Sequence, residues 1–399
     1  MTARDQRVPA NGQGVPTRGL YRGISRRGFL RVGLATGIGG TLAAATMTNA
    51  MAAPTAAPPV IAQAKNAYLG CSLRSFDLPA HVDWNKGAQQ FAQKVGLSSR
   101  YDVFLCEGDS QKQFQQVQAF IAKTGKDGVL AFDPNLTAGD TAAIVKLCEE
   151  AGVYCWNFAL KGPDQHPADY HYWVSFGAFD FVTQGKLEAG ELFKAMGGSG
   201  PIVALLGPVG HPAGNDRRAG LGLALQANPN ITLLAQENVD DWDQTKALNV
   251  MQDLLVAQPT LQGVWAANDS VALGALEALR NAGKAGQVPL TGVDASDATV
   301  QAVINGEMTA TMSQEMTRTG FYGLDIAWQA YMGNIDPSKL PPEHREFEIA
   351  NRVVNNDNAQ DYFNNFSKNT PDYSVDDYWS WALGLLKPET YDPSLIAAP

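Results

Sequence analysis

From residue 67 onward, short apolar runs alternate with longer segments in which apolar positions recur every three or four residues. The runs read as strands and the segments as amphipathic helices. Strands are expected over 67–73, 101–106, 128–132 and 153–158, with helices over 79–96 and 111–124 between them. Thr137 and Asp140 have the spacing of a capping box and open a helix that runs to Ala151. The rhythm breaks over the polar, aromatic stretch 162–176 and then resumes. Helices follow over 180–196, 215–228, 242–258 and 270–283, and strands over 201–206, 231–236, 263–267, 288–293 and 309–313. A helix over 318–332, a strand over 346–354 and a tail from Asp357 complete the chain. The tail carries an amphipathic aromatic piece, 378–386, expected to pack back onto a lobe. This alternation predicts an α/β protein of two doubly wound lobes, each a parallel sheet covered by helices, with ligand in the interlobe cleft at the carboxyl ends of the strands.

The first 64 residues break this pattern. Arg26-Arg27 is followed by Phe29-Leu30, then by a weakly apolar, Gly- and Thr-rich run from Val32 to Met47, then by Ala50-Met51-Ala52 and a Pro/Ala stretch. Adjacent arginines, a mild apolar run and an A-x-A site match a twin-arginine export signal, expected over 1–52 with cleavage near Ala52 and a linker over 53–64. The run is too poor in strongly apolar residues for a membrane anchor. A periplasmic location follows from this reading.

Charge narrows the partners. The net charge is −10, and an acidic surface repels nucleic acid and anionic lipid. Four cysteines, Cys71, Cys106, Cys148 and Cys155, lie outside any CxxC, and their pairing is left open between buried thiols and a disulfide. The five histidines make no metal-binding spacing, and there is no nucleophile elbow or phosphate-binding loop. Asp133-Pro134-Asn135-Leu136-Thr137 lacks the glycine and the terminal glutamate of a calcium loop. No cofactor, no metal and no catalytic group are expected.

Four segments in register carry a resemblance. They are Asp240-Asp241-Trp242-Asp243 with the run 247–255, Ala266-Ala267-Asn268-Asp269 with the run 270–276, Thr291-Gly292-Val293-Asp294, and Ala310-Thr311-Met312-Ser313-Gln314. Together they resemble the ribose/galactose-type periplasmic binding proteins of bacterial ABC importers, over about residues 67–354. The resemblance implies a three-crossing hinge, with lobe one at 65–176 plus 315–345, lobe two at 177–314 plus 346–356, and a C-terminal extension over 357–399.

The resemblance also implies site residues. Asn268, Asp294 and Gln314 match positions that hydrogen-bond sugar hydroxyls, and Trp242 matches an aromatic that stacks on the C–H face. Asn157 matches a position where ribose binders carry aspartate, and Ser72 lies near another contact position. Amides both donate and accept, a carboxylate accepts two hydroxyl protons, and an aromatic face covers C–H groups, so these residue types suit a polyhydroxy ligand. Asp269 is expected to cap the helix that follows it. Where ribose binders place two aromatics before the first helix, this chain has Leu78-Pro79-Ala80-His81, so Trp84 or Phe76 is expected to supply the platform. Asn215 and Phe158 stand where ribose binders have arginines, and the loss of two guanidiniums argues for a different monosaccharide or a sugar alcohol.

The chain is thus expected to be a monomeric, non-enzymatic receptor that delivers a small neutral ligand to an ABC importer permease. The alternatives are a receptor of the same fold serving chemotaxis or a sensor kinase, an exported enzyme, and a sugar-responsive DNA-binding repressor, which the acidic charge and the export signal disfavour.

Overall fold

The computed structural model describes residues 66–386. The expected export signal and linker lie outside them. Strands β1 (Tyr68–Leu73), β2 (Tyr101–Leu105), β3 (Gly128–Phe132), β4 (Tyr154–Phe158) and β5 (Trp173–Phe179) pair in parallel and begin one sheet. Strands β6 (Gly200–Leu206), β7 (Ile231–Asn238), β8 (Gly263–Ala266), β9 (Leu290–Asp294) and β10 (Ala310–Ser313) pair in parallel and begin a second. The chain then alternates. β11 (Glu346–Ile349) joins β5 in the first sheet, β12 (Arg352–Asn355) joins β10 in the second, and β13 (Ala382–Leu385) returns to pair with β11. The orders are β13-β11-β5-β4-β3-β1-β2 and β12-β10-β9-β8-β6-β7.

Nine helices of eight residues or more connect these strands among the described residues: α1 (Pro79–Lys94), α2 (Ser110–Thr124), α3 (Ala138–Ala151), α4 (Phe181–Ala195), α5 (Pro212–Ala227), α6 (Gln244–Ala257), α7 (Asp269–Asn281), α8 (Asp297–Ile304) and α9 (Met316–Tyr331). Every residue of β3 and β5 is buried, as expected for parallel strands covered on both faces. The capping box of α3 forms, with Asp140 Oδ2 accepting from the Thr137 N–H at 2.8 Å. Each lobe has its own core. Trp84, Phe91, Trp156, Phe321 and Phe347 fill the first, and Leu205, Trp265, Leu276 and Leu290 fill the second. No helix among the described residues is long and apolar enough to cross a membrane.

Two expectations change. The stretch 162–176 contains the start of β5, whose seven buried residues show no alternation and so no strand period. The expected strand 346–354 is two strands in different sheets, parted at Ala350-Asn351. The passages between sheets therefore fall near Asp180, at Gln314-Glu315 and at Ala350-Asn351. Asn351 ties the first to the third: its Nδ2 donates to the Asp180 carbonyl at 3.2 Å, and its Oδ1 accepts from Gln184 at 3.0 Å.

The tail makes a fourth passage. Ala359 and Tyr362 pack into the second core, while Tyr373 and Trp381 are buried in the first. The Trp381 ring lies 5.8 Å from Trp156 and 5.4 Å from Phe347. All four cysteines are buried free thiols.

Candidate functional site

A cavity of about 80 Å³ lies between the lobes. Its floor in the second lobe is built from strand ends. Asp294 is the last residue of β9, and its φ of 128° and the 54° of Ala295 hold it in left-handed backbone that only a constrained turn maintains. Burial pushes its carboxyl pKa up to about 8, against the pull of Arg217 beside it. Gln314 follows β10. In the amide orientation that satisfies both neighbours, it donates to Asp294 Oδ1 at 3.2 Å and accepts from the Arg217 guanidinium at 2.7 Å. Arg217, on α5, is fixed further by Nε donating to Gln184 Oε1 and a terminal nitrogen donating to the Ala267 carbonyl, both at 2.8 Å.

Asn268 has two tasks. Its Oδ1 accepts from the Val271 N–H at 2.9 Å and caps α7, and its side chain lines the cavity. Asp269 was expected to be the cap, and it is not. It is fully buried and accepts from the Ser296 N–H and Thr311 Oγ1, both at 2.7 Å, and from Thr299 Oγ1. It thereby anchors the turn that carries Asp294.

Trp242 enters the cavity wall from a turn in which Asp241 and Trp242 both have positive φ, 63° and 56°. A Cβ on Gly207 would stand 2.1 Å from its ring. His211 packs edge-on against the same ring, with centroids 5.3 Å apart. Burial, reinforced by Arg217 and Arg74, pushes the His211 pKa down to about 3, so the imidazole is neutral.

The first lobe supplies Arg74, His81, Asp133, Asn135 and Phe158. Arg74 donates to Asn135 Oδ1 at 3.0 Å. Asn135 is itself seated by Gln113, Gly108 and Ser110. His81 Nε2 lies 3.0 Å from Asp133 Oδ2 and orients that carboxylate. Phe158 stands edge-on to Trp84 at 5.5 Å.

Of the residues expected at the site, the structure thus brings Asp294, Asn268, Trp242, Gln314 and Phe158 to one cavity. It places Asn157, Ser72, Asn215, Trp84 and Phe76 outside the cavity lining. Asn157 is buried inside the sheet, accepting from Trp173 Nε1 at 2.7 Å and donating to the Leu160 carbonyl. Ser72 is buried and accepts from Gln113. Trp84 lies fully buried behind Phe158, Phe76 is exposed, and Asn215 sits in the first turn of α5. Asn215 and Phe158 bring no guanidinium to the site, but Arg74 and Arg217 bring two to the cavity from other positions. Neither was singled out in the sequence, although Arg74 directly follows a strand.

A cleft between two doubly wound lobes, lined by paired amides, carboxylates and an aromatic face, defines a ligand-binding protein of the two-lobed class. The family model described as a periplasmic binding protein domain matches residues 71–335. The chain is 31% identical over 278 residues to the D-allose-binding periplasmic protein of Escherichia coli (strain K12), covering 68% of this chain and 88% of that protein. It is 32% identical over 269 residues to the ribose import binding protein RbsB of Salmonella typhimurium, covering 66% and 84%. The crystal structure of a twin-arginine translocation pathway signal protein from Burkholderia phytofirmans matches with a TM-score of 0.77 and 36% identity, covering 81% of this chain and 99% of that chain. The chain belongs to the periplasmic binding protein domain family.

Proposed function

We propose that this protein is an exported, non-enzymatic receptor that captures a monosaccharide or sugar alcohol in the periplasm and delivers it, as a monomer, to an ABC importer permease. The observation that carries this reading is the Arg217–Gln314–Asp294 chain of hydrogen bonds, which meets Trp242 and Asn268 in one buried cavity. It presents fixed donors and acceptors beside an aromatic face, the chemistry that a polyhydroxy ring with C–H faces requires. The sugar-named relatives support the ligand class. The Arg-Arg-x-Phe-Leu start supports export by the twin-arginine route. The lobes close on the ligand about the passages near Asp180, Glu315 and Asn351.

A thermal-shift screen of the chain from Ala53 tests this, using D-ribose, D-allose, other pentoses and hexoses, tetritols, pentitols and inositols. A ligand that prefers the native state raises its melting temperature by mass action. A selective rise is expected with one structural group of these compounds. No rise with any of them refutes the sugar reading.

A further inference from the structure

At the rim of the cleft an ion pair joins the two lobes. Arg74, after β1 in the first lobe, donates to Asp241 Oδ1, before α6 in the second, at 2.9 Å. Arg74 is held for this contact. Its side chain is 10% exposed, and its other terminal nitrogen is bound to Asn135 Oδ1 and to the Asn135 carbonyl. Asp241 is 63% exposed and shares its second oxygen with Lys246 at 3.0 Å.

Two cavities flank the pair. The inner one is the candidate ligand site. The outer one, of about 380 Å³, opens at the cleft mouth between Ser75, Asp77 and Glu107 on one side and Asp243 and Thr245 on the other. Arg74, Leu78 and Trp242 line both, so these three residues stand between the two spaces, and Arg74 is the one of them that is charged. The backbone of Asp241 and Trp242 is left-handed at both residues. Non-glycine residues keep such backbone only where their surroundings impose it, and clamps and switch regions are where it collects. Here one strained turn places Trp242 against the inner cavity and Asp241 across the cleft.

We propose that Arg74 and Asp241 form the gate of the ligand cavity, and that a ligand passes between the outer and inner spaces only when this pair opens. The gate rests on the receptor reading above. It assigns Asp241 a role in retention, through Arg74, with no contact to the ligand. Asp241 is the exposed partner and Arg74 keeps its contacts to Asn135 without it, so the effect falls on the rate of release more than on the integrity of the fold.

The test uses D241N and the charge reversal D241K, both at an exposed position, with D-allose and D-ribose as probes. Dissociation rates are followed by stopped-flow tryptophan fluorescence. Release is expected to quicken about fivefold in D241N and further in D241K, with the association rate changed less. The interlobe distance is measured in the same proteins between spin labels on K126C and V256C, which label selectively because the four native cysteines are buried. The population at the short distance is expected to fall in both variants, with or without sugar. Unchanged release in both variants overturns the gate. If neither sugar binds, the sugar reading loses support and the distances decide: a shift toward longer separations upholds the gate, and unchanged distributions overturn it.

Discussion

The Trp242 ring lies directly over Gly207, so close that a single added methyl would stand 2.1 Å from it. Gly207 immediately follows β6, and its missing side chain is the space into which the strained turn at Asp241 delivers the indole.

Gly207→Ala is therefore expected to push Trp242 out of the cavity wall. Overpacking of this kind costs about 1–3 kcal/mol of stability. Urea unfolding should register that loss, and calorimetry with the ligand found in the screen should give at least tenfold weaker binding. Unaltered affinity would separate Trp242 from the site.

Asp294→Ala removes the acceptor of the Gln314 amide. Binding is expected to weaken by at least tenfold, about 1.4 kcal/mol or more, while far-ultraviolet circular dichroism stays unchanged. Calorimetry that returns the wild-type affinity would remove Asp294 from the ligand contacts.

Trp242→Ala is expected to weaken binding and to diminish the ligand-induced change in tryptophan fluorescence. If that change persists in full, another tryptophan is the reporter, with Trp84 behind Phe158 the nearest alternative on structural grounds.

Stability should fall as pH rises from about 4 to 8. Asp325 is fully buried on α9, with one carboxylate oxygen accepting from Gln329 at 2.9 Å and the other without a partner among the described residues. Burial pushes its pKa up to about 8, as it does for Asp294. Unfolded, such a carboxyl releases its proton near pH 4. Between these values the unfolded chain binds fewer protons than the native one, so raising the pH favours unfolding. D325N should flatten this decline and raise the melting temperature at pH 8 by a few degrees, corresponding to on the order of 1–2 kcal/mol. Parallel pH profiles of the two proteins would show the burden lies elsewhere.

The fold was largely legible because parallel strands and amphipathic helices have different apolar periods, and that difference survives in a single sequence. What was missed has physical causes. β5 is buried on both faces and so lacks a polar phase. The run 346–354 is apolar enough for one strand, and only tertiary pairing divides it between sheets. Asn157 and Phe158 are neighbours on one strand and so point to opposite faces. Phe158 reaches the cavity, while the Asn157 amide is spent on Trp173 and Leu160. Arg74 and Arg217 were passed over because surface and buried arginines look alike in sequence. Their roles depend on partners 61 positions away, at Asn135, and 50 positions away, at Ala267.

The tail that crosses from Tyr362 to Trp381 bears on how the molecule is made. The first sheet is begun by residues 68–179 and completed only by 346–349 and 382–385. The second is completed only by 352–355. During synthesis neither lobe can close its sheet until nearly all of the chain has emerged, and the edges of β5 and β10 stay open as templates for wrong pairing until then. Assembly of this protein is accordingly a late event in its synthesis, and a polypeptide released before residue 346 would carry two unfinished sheets.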